Sequence, residues 1–421
     1  MHRTPSRAAV VLPLAMLAGI TAAAQPGERP PGLTLAEARA RAYAHSPSLA
    51  AAAAELEVAR AEIRQAELWP NPELAGEVED LDRSFSRRAE SETRMELQQQ
   101  LPIAVRGTRV AVARLQRDEA GVRLELARRD LAAEVARRFW AALAAGERLR
   151  LAEANLENAG EVAATVRALV EGGERSPLEQ AQAEAERTLA VSAVHAARRD
   201  VLTACSALAE VMGETALDPC TLAGELPLTQ EVPSFEALSA RLGNTPEERL
   251  SVAEQKRLDA EMTLASRGKW PEPVLRLGII RRGSESTTGY VAGMAIQLPL
   301  WDRGQGELAA ARARREIGRQ QGQARALAMS ASLRVAQATL WESAEEVRLL
   351  TRESLPRAAE VFAGVNEGYT RGKLGLLEVL EARRMLAAAQ ERAVEARLRL
   401  ALARVEVERL VGGDTAEGER Q

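Results

Sequence analysis

Apolar and polar positions along this chain follow two periods in turn. After Thr34, apolar residues recur at helical spacing, and Thr34 with Glu37 three positions on matches a capping box. The pattern predicts a helix from there to Trp69, ended by Pro70. Two segments of period-two alternation follow, roughly Glu73 to Asp80 and Thr93 to Leu101, with the polar stretch Leu81 to Glu90 as their hairpin loop. In the second segment Met95, Leu97 and Leu101 oppose Arg94, Glu96 and Gln98, so one face is apolar and the other polar. Helical spacing then resumes from about Gly107 to Glu171 without a proline, and Val135, Ala142, Leu149, Leu156, Ala163 and Val170 keep a heptad. A strict heptad implies left-handed supercoiling, and about 65 residues make a rod of roughly 100 Å. A shorter helix, about Ser176 to Met212, returns beside it.

The same order of elements comes back after roughly 200 residues. WPNPEL from Trp69 returns as WPEPVL from Trp270, LPIAVRG from Leu101 as LPLWDRG from Leu298, and GGERSPLEQAQAE from Gly172 as RGKLGLLEVLEAR from Arg371. Ser234 takes the N-cap place of Thr34, with Ala237 where Glu37 completed the box, and this helix is expected to reach Trp270. Strands are expected at Val274 to Arg281 and Gly289 to Leu298, with Tyr290, Ala292, Met294, Ile296 and Leu298 on one face. The second long helix, Gly304 to Gly372, contains Pro356 and is expected to kink there, and its return runs from Gly375 to Val411. Matches in one order indicate a duplication. Residues 25–212 and 234–412 are the two repeats, 213–233 with Pro219, Pro227 and Pro233 the linker, and 413–421 a disordered tail.

Residues Ala8 to Ala24, preceded by Arg3 and Arg7, read as a signal peptide over residues 1–24, cut before Gln25. No cysteine stands directly after the apolar run as a lipoprotein acyl site, so the mature chain is expected to be exported and unlipidated. Aromatic content of 3% favours long packed helices over an aromatic-centred core. A mean hydropathy of -0.21 excludes a polytopic helical membrane protein. The net charge of -4, more negative without Arg3 and Arg7, argues against nucleic acid as a partner. In an oxidising compartment Cys205 and Cys220 are compatible with one disulfide or with two separate buried thiols.

Catalytic chemistry is not encoded. His2 lies in the leader, His45 reads as a loop residue before Ser46 and Pro47, and His195 falls mid-helix, so no metal-ligand spacing arises. The eight methionines are scattered, and DRGQG from Asp302 lacks the Lys and Ser or Thr of a phosphate loop. The chain is therefore expected not to be an enzyme and to need no cofactor.

Strands of about 9 to 11 residues with an apolar face match a tilted transmembrane strand. In lipid, an open sheet edge leaves backbone groups unpaired at several kcal/mol each, so membrane strands must close. Four strands are too few, since barrels begin at about eight. Either the chain pools its strands with copies of itself, or the hairpins pack on helices in water. Trp69, Trp270 and Trp301 stand at strand and helix junctions, as an interfacial belt or, given the scarcity of other aromatics, as packing residues.

With the duplication, the strand pair within each half and the glycine turns, the chain resembles the TolC family of outer-membrane efflux ducts. WPNPEL, QLPIAVRGTR and LPLWDRGQGELAAARA are most similar to its CzcC and CusC branch, which serves heavy-metal resistance-nodulation-division pumps. The resemblance implies a mainly α fold with a transmembrane β-barrel portion: a homotrimer with a twelve-stranded barrel continued by a periplasmic helical tunnel. It implies as partners a periplasmic adaptor, an inner-membrane pump and outer-membrane lipid, and a place in the bacterial outer membrane. The expected cargo is a heavy-metal cation. Organic compounds through the same architecture, or a poreless periplasmic coiled coil, are the alternatives.

GYTRGKLGLLEVLEA is similar to the family's pore entrance, which implies that Tyr369, Glu378 and Glu381 line a gate, with Glu179 bonded to the tyrosine. Under threefold symmetry the two acids, three apart, give stacked carboxylate rings that attract cations; by composition alone they are solvated helix residues. Leu374 falls where the family commonly has an arginine, a role left to Arg371 or Lys373. Gly172, Gly173, Ser176, Pro177, Leu178, Gly372, Leu374, Gly375 and Leu376 resemble the adaptor-contact tips, with Leu178 and Leu376 as apolar knobs, or serve as helix caps alone.

Overall fold

A computed structural model describes residues 32–81, 87–217, 220–282 and 287–412. The signal-peptide and tail assignments, and residues 82–86 and 283–286 of the hairpin loops, lie outside the described residues.

Thr34 caps α1 (Leu35–His45): its Oγ1 accepts from Glu37 N at 3.2 Å, and its own N donates to Glu37 Oε2 at 2.9 Å. The single helix expected to follow is broken. Ser46, extended because a proline follows it, separates α1 from α2 (Pro47–Glu67). His45 thus ends a helix and does not lie in a loop. The second repeat breaks in the corresponding way, into α5 (Phe235–Ser239) and α6 (Pro246–Arg267), with extended Thr245 before Pro246. Proline at the first position of a helix loses no intrahelical bond, so a chain can stop and restart there at little cost.

Four strands form one antiparallel sheet in chain order: β1 (Glu73–Leu81), β2 (Arg87–Gln100), β3 (Val274–Arg282) and β4 (Thr287–Ala295). β2 starts earlier than its alternation suggested, and β4 stops before Ile296 and Leu298. Register settles the faces. Leu74, Leu97, Leu277 and Ala292 lie abreast, as do Gly76, Met95, Ile279 and Tyr290. The opposite face carries Glu77 abreast of Arg94, and Glu92 of Arg282. Among the described residues nothing covers the apolar face: Leu74 is 67% exposed and Tyr290 90%. The two repeats join through β2 and β3, where Gly278 lets the strands close up, since a Cβ there would meet Met95 O at 2.5 Å.

α3 (Arg106–Glu171) runs 66 residues without a break, about 100 Å. It packs against α2 and α6 near the sheet, then against α4 (Pro177–Met212) and α9 (Leu376–Val411). Its counterpart in the second repeat is interrupted. α7 (Gln305–Leu349) passes through a π-helical turn, Leu350–Ser354, into α8 (Leu355–Thr370). The expected kink at Pro356 takes this form, because an extra residue in the turn absorbs the bond that the proline cannot donate.

Phe139, Leu208, Met212 and Leu226 anchor the midsection, where α1, α3, α4 and the linker meet. Leu333, Leu340 and Leu400 fill the seam of α7 and α9. Truncating any of these leucines to alanine removes about 2–5 kcal/mol. Linker and midsection are stapled covalently, since Cys205 and Cys220 form a disulfide. Beside it, Leu33 N donates to Thr221 O at 2.8 Å. Gly213, left-handed at φ 77, ends α4 against α1; a Cβ there would lie 2.4 Å from His45 O. The junction tryptophans, expected to pack, are exposed: Trp301 is 86% accessible and Trp69 49%, with the Arg106 guanidinium 5.3 Å from the Trp69 ring centroid.

Candidate functional site at the helical tip

Both hairpins at the end away from the sheet turn by the same device. After α3, Gly173 N donates to Val170 O and Glu174 N to Leu169 O, with Gly173 at φ 77. After α8, Gly372 N donates to Tyr369 O and Lys373 N to Gly368 O, with Gly372 at φ 73. Left-handed glycine is what this 6→1 closure of a helix end requires. Ser176 then caps α4, its Oγ accepting from Leu178 N at 3.2 Å.

Tyr369, 2% exposed, sits among Ala163 and Val166 of α3, Ala183 of α4, and Leu376, Val379 and Leu380 of α9. Its hydroxyl donates to Glu179 Oε2 at 3.4 Å, from one repeat to the other. Burial pushes the phenol above its usual pKa, the Glu179 carboxylate adds to that, and Arg175 opposes it. Arg175 is the residue that sequence reasoning missed. Its guanidinium lies 4.8 Å from the Tyr369 ring centroid, 3.9 Å from Glu179, and donates to Leu374 O at 3.2 Å. Neither expected substitute does this: Arg371 pairs with Glu367 on its own helix, and Lys373 is exposed. The side chain of Leu374 packs on its own hairpin, against Gly368.

Glu378 and Glu381 share the exposed face of α9 with Leu377 and Met385. Below them, Arg383 and Arg384 hold Glu186 of α4, the former at 3.1 Å. Leu178 is 67% exposed, but Leu376, expected as a second knob, is 2% exposed. It lies one turn before Val379 and Leu380 on the face turned to Tyr369, so Leu377 is the exposed apolar residue of that turn. Among the described residues no group of three or more His, Cys, Asp or Glu is disposed to hold a metal ion. No described helix is long and apolar enough to cross a membrane.

A duplicated helical rod with a small sheet at one end and a turn-built tip at the other is the protomer architecture of outer-membrane channels. The chain belongs to the outer membrane efflux protein family, whose model matches residues 38–214 and 238–413. It is similar to the cobalt-zinc-cadmium resistance protein CzcC of Cupriavidus metallidurans, 29% identical over 335 residues, 79% of this chain and 78% of that one. It is also similar to the nickel-cobalt-cadmium resistance protein NccC of Alcaligenes xylosoxydans xylosoxydans, 29% identical over 72% of this chain and 69% of that one. Among solved structures CusC matches with a TM-score of 0.73 and 19% identity, over 90% of this chain and 92% of that one. The protein is an outer-membrane efflux component and not an enzyme.

Proposed function

We propose that three copies of this chain form a passive exit duct for heavy-metal cations, fed by an inner-membrane pump of the resistance-nodulation-division class through a periplasmic adaptor. The observation that carries the reading is the described sheet: four strands, a bare apolar face, and outer edges on β1 and β4 without a partner strand. Three such sheets give twelve strands, enough to close, with the apolar face toward lipid and the Glu77 and Arg94 face toward water. The names of the metal-resistance relatives favour a metal cargo over organic compounds.

In this duct Glu378 and Glu381 line the entrance as carboxylate rings that concentrate cations without holding them. Tyr369, Glu179 and Arg175 latch the two hairpins of each protomer. Gly172, Gly173, Ser176, Pro177, Leu178, Gly372, Leu374 and Gly375 present the tips to the adaptor, with Leu377 taking the place expected of Leu376.

Deleting the gene and scoring growth on cobalt, zinc and cadmium salts against a panel of organic toxicants tests the cargo. Sensitisation to the metals is expected. Sensitisation to organic compounds alone refutes the metal assignment, and a soluble monomer on fractionation refutes the duct.

A further inference from the structure

The apolar face of the sheet is shorter than the layer it is meant to meet. Gly76, Met95, Ile279 and Tyr290 form one row across it, and Leu74, Leu97, Leu277 and Ala292 the next. A third row holds Gln99, Leu275 and Met294. Above the first lie Val78, Thr93, Arg281 and Thr288, where the charge of Arg281 closes the band. Successive rows are two residues apart, about 6.6 Å of strand and about 5 Å of depth at the usual tilt of a barrel strand. Three rows therefore cover about 15 Å, whereas the lipid-facing band of an outer-membrane barrel is about 25 Å tall. The shortfall is about two rows.

Carried on at the same register toward the helices, the next positions are Pro70, Leu101, Pro273 and Ile296, and after them Leu68, Ile103, Pro271 and Leu298. Every one is apolar. The ladder itself reaches the first of these rows, since Leu101 N donates to Pro273 O at 2.9 Å. Leu68, Ile103, Ile296 and Leu298 are exposed. Backbone beyond a ladder is costly in lipid because its donors are free. Here the prolines have no donor, Leu68 N donates to Gln65 O, and Ile103 N donates to Leu101 O. Ile296 and Leu298 follow β4, on the edge that the next copy covers in the duct. Basic side chains stand beside the tryptophans at this level: Arg106 lies 5.3 Å from the Trp69 ring centroid, and Lys269 lies 5.9 Å from that of Trp270. The pairing repeats at equivalent junctions of the two halves, and tryptophan beside a cation is an anchor at a headgroup layer. Two acids of this level are engaged elsewhere, Glu67 by Arg114 and Asp302 by Gly304 N.

We propose that the hydrocarbon layer of the outer membrane continues past the end of the sheet onto these two rows, with phospholipid headgroups at the level of Trp69, Trp270, Arg106 and Lys269. The proposal rests on the duct reading, which turns the apolar face toward lipid. It makes the proline junctions part of the membrane anchor: they lengthen the apolar band by about 10 Å without adding a strand residue or a free donor.

The test uses the full-length protein in phosphatidylcholine bilayers. Cys205 and Cys220 are bonded to each other, so a single introduced cysteine is the free thiol that takes a bimane label. Leu298→Cys and Ile103→Cys report on the two rows, Met294→Cys on the sheet, and Leu377→Cys on water at the tip. Quenching is measured with lipid brominated near the carbonyl or near the methyl end of the acyl chain, and with iodide in the buffer. At 298 and 103 the expected result is quenching by bromine near the carbonyl and loss of the iodide quenching seen at 377. Iodide quenching at 298 and 103 equal to that at 377, with 294 still quenched by bromolipid, overturns the proposal and leaves the duct standing. Labels at 298 and 103 that neither quencher reaches are covered by protein, which also overturns it. A label at 294 that no bromolipid quenches refutes the duct reading itself, and the proposal with it.

Discussion

Arg175 and Tyr369 stack across the boundary between the two repeats, guanidinium over ring at 4.8 Å, although they stand 194 positions apart in the chain. The same guanidinium reaches Leu374 O, so one side chain from the first hairpin grips both the aromatic ring and the backbone of the second. Replacing Arg175 by alanine removes a cation–π contact of about 0.5–2 kcal/mol and a hydrogen bond together. The expected result is a looser tip, read as more frequent full openings of single channels in planar bilayers. Tyr369→Phe, which keeps the ring and loses only the 3.4 Å hydroxyl contact, is expected to do less.

Tyr369 also gives the tip an alkaline limit. Its folded pKa is raised above the ordinary 10.0, first by burial and then by Glu179. Below that value the phenol is neutral whether folded or not, so its contribution is intact. As pH rises from 10.0 toward the folded pKa, the unfolded chain ionises first and stability falls. Tyrosinate absorbance on titration should show one late-ionising tyrosine. Glu179→Gln should bring that ionisation earlier, and Tyr369→Phe should flatten the alkaline limb of the melting profile.

The carboxylates of α9 are tested by charge neutralisation. Glu378→Gln with Glu381→Gln leaves the exposed face of the helix sterically unchanged and removes two charges per chain. Reversal potentials in asymmetric salt should move toward zero, reporting lost preference for cations. A preference that survives the double substitution removes the ring from the mechanism.

Breaking the staple at the midsection should cost stability. Cys205 and Cys220 close a segment with a sequence separation of 15; a loop of that size is worth about 3 kcal/mol by chain entropy. Cys205→Ser with Cys220→Ser is expected to lower the thermal unfolding midpoint by several degrees, and a reductant should do the same to the parent protein. A midpoint that both treatments leave in place shows that packing around Leu208 and Met212 suffices alone.

Much of this organisation is legible in the residues. The box of Thr34 and Glu37, the prolines after Trp69 and Trp270, and the unbroken heptad of α3 are local signals, and each marks the element it should. The misses are of another kind. Ser46 with Pro47 and Thr245 with Pro246 carry helix-start chemistry, but inside a longer apolar period they look like tolerated interruptions. Leu376 and Leu377 are chemically equal neighbours. Which one is buried depends on the rotation of α9 against α8 and α4, which no local pattern encodes. Arg175 is one arginine among many, and only the fold of a distant repeat sets an aromatic ring beside it.

The pairing of β2 with β3 has a consequence for biogenesis. Gln100 lies opposite Val274, so the sheet joins segments from both halves of the chain. Until the second hairpin has crossed the inner membrane, the first is a two-stranded ribbon with an apolar face and a raw edge, in a compartment with proteases. The first hairpin is therefore expected to need shielding until the second arrives, and a chain truncated at the linker is expected to be lost to proteolysis.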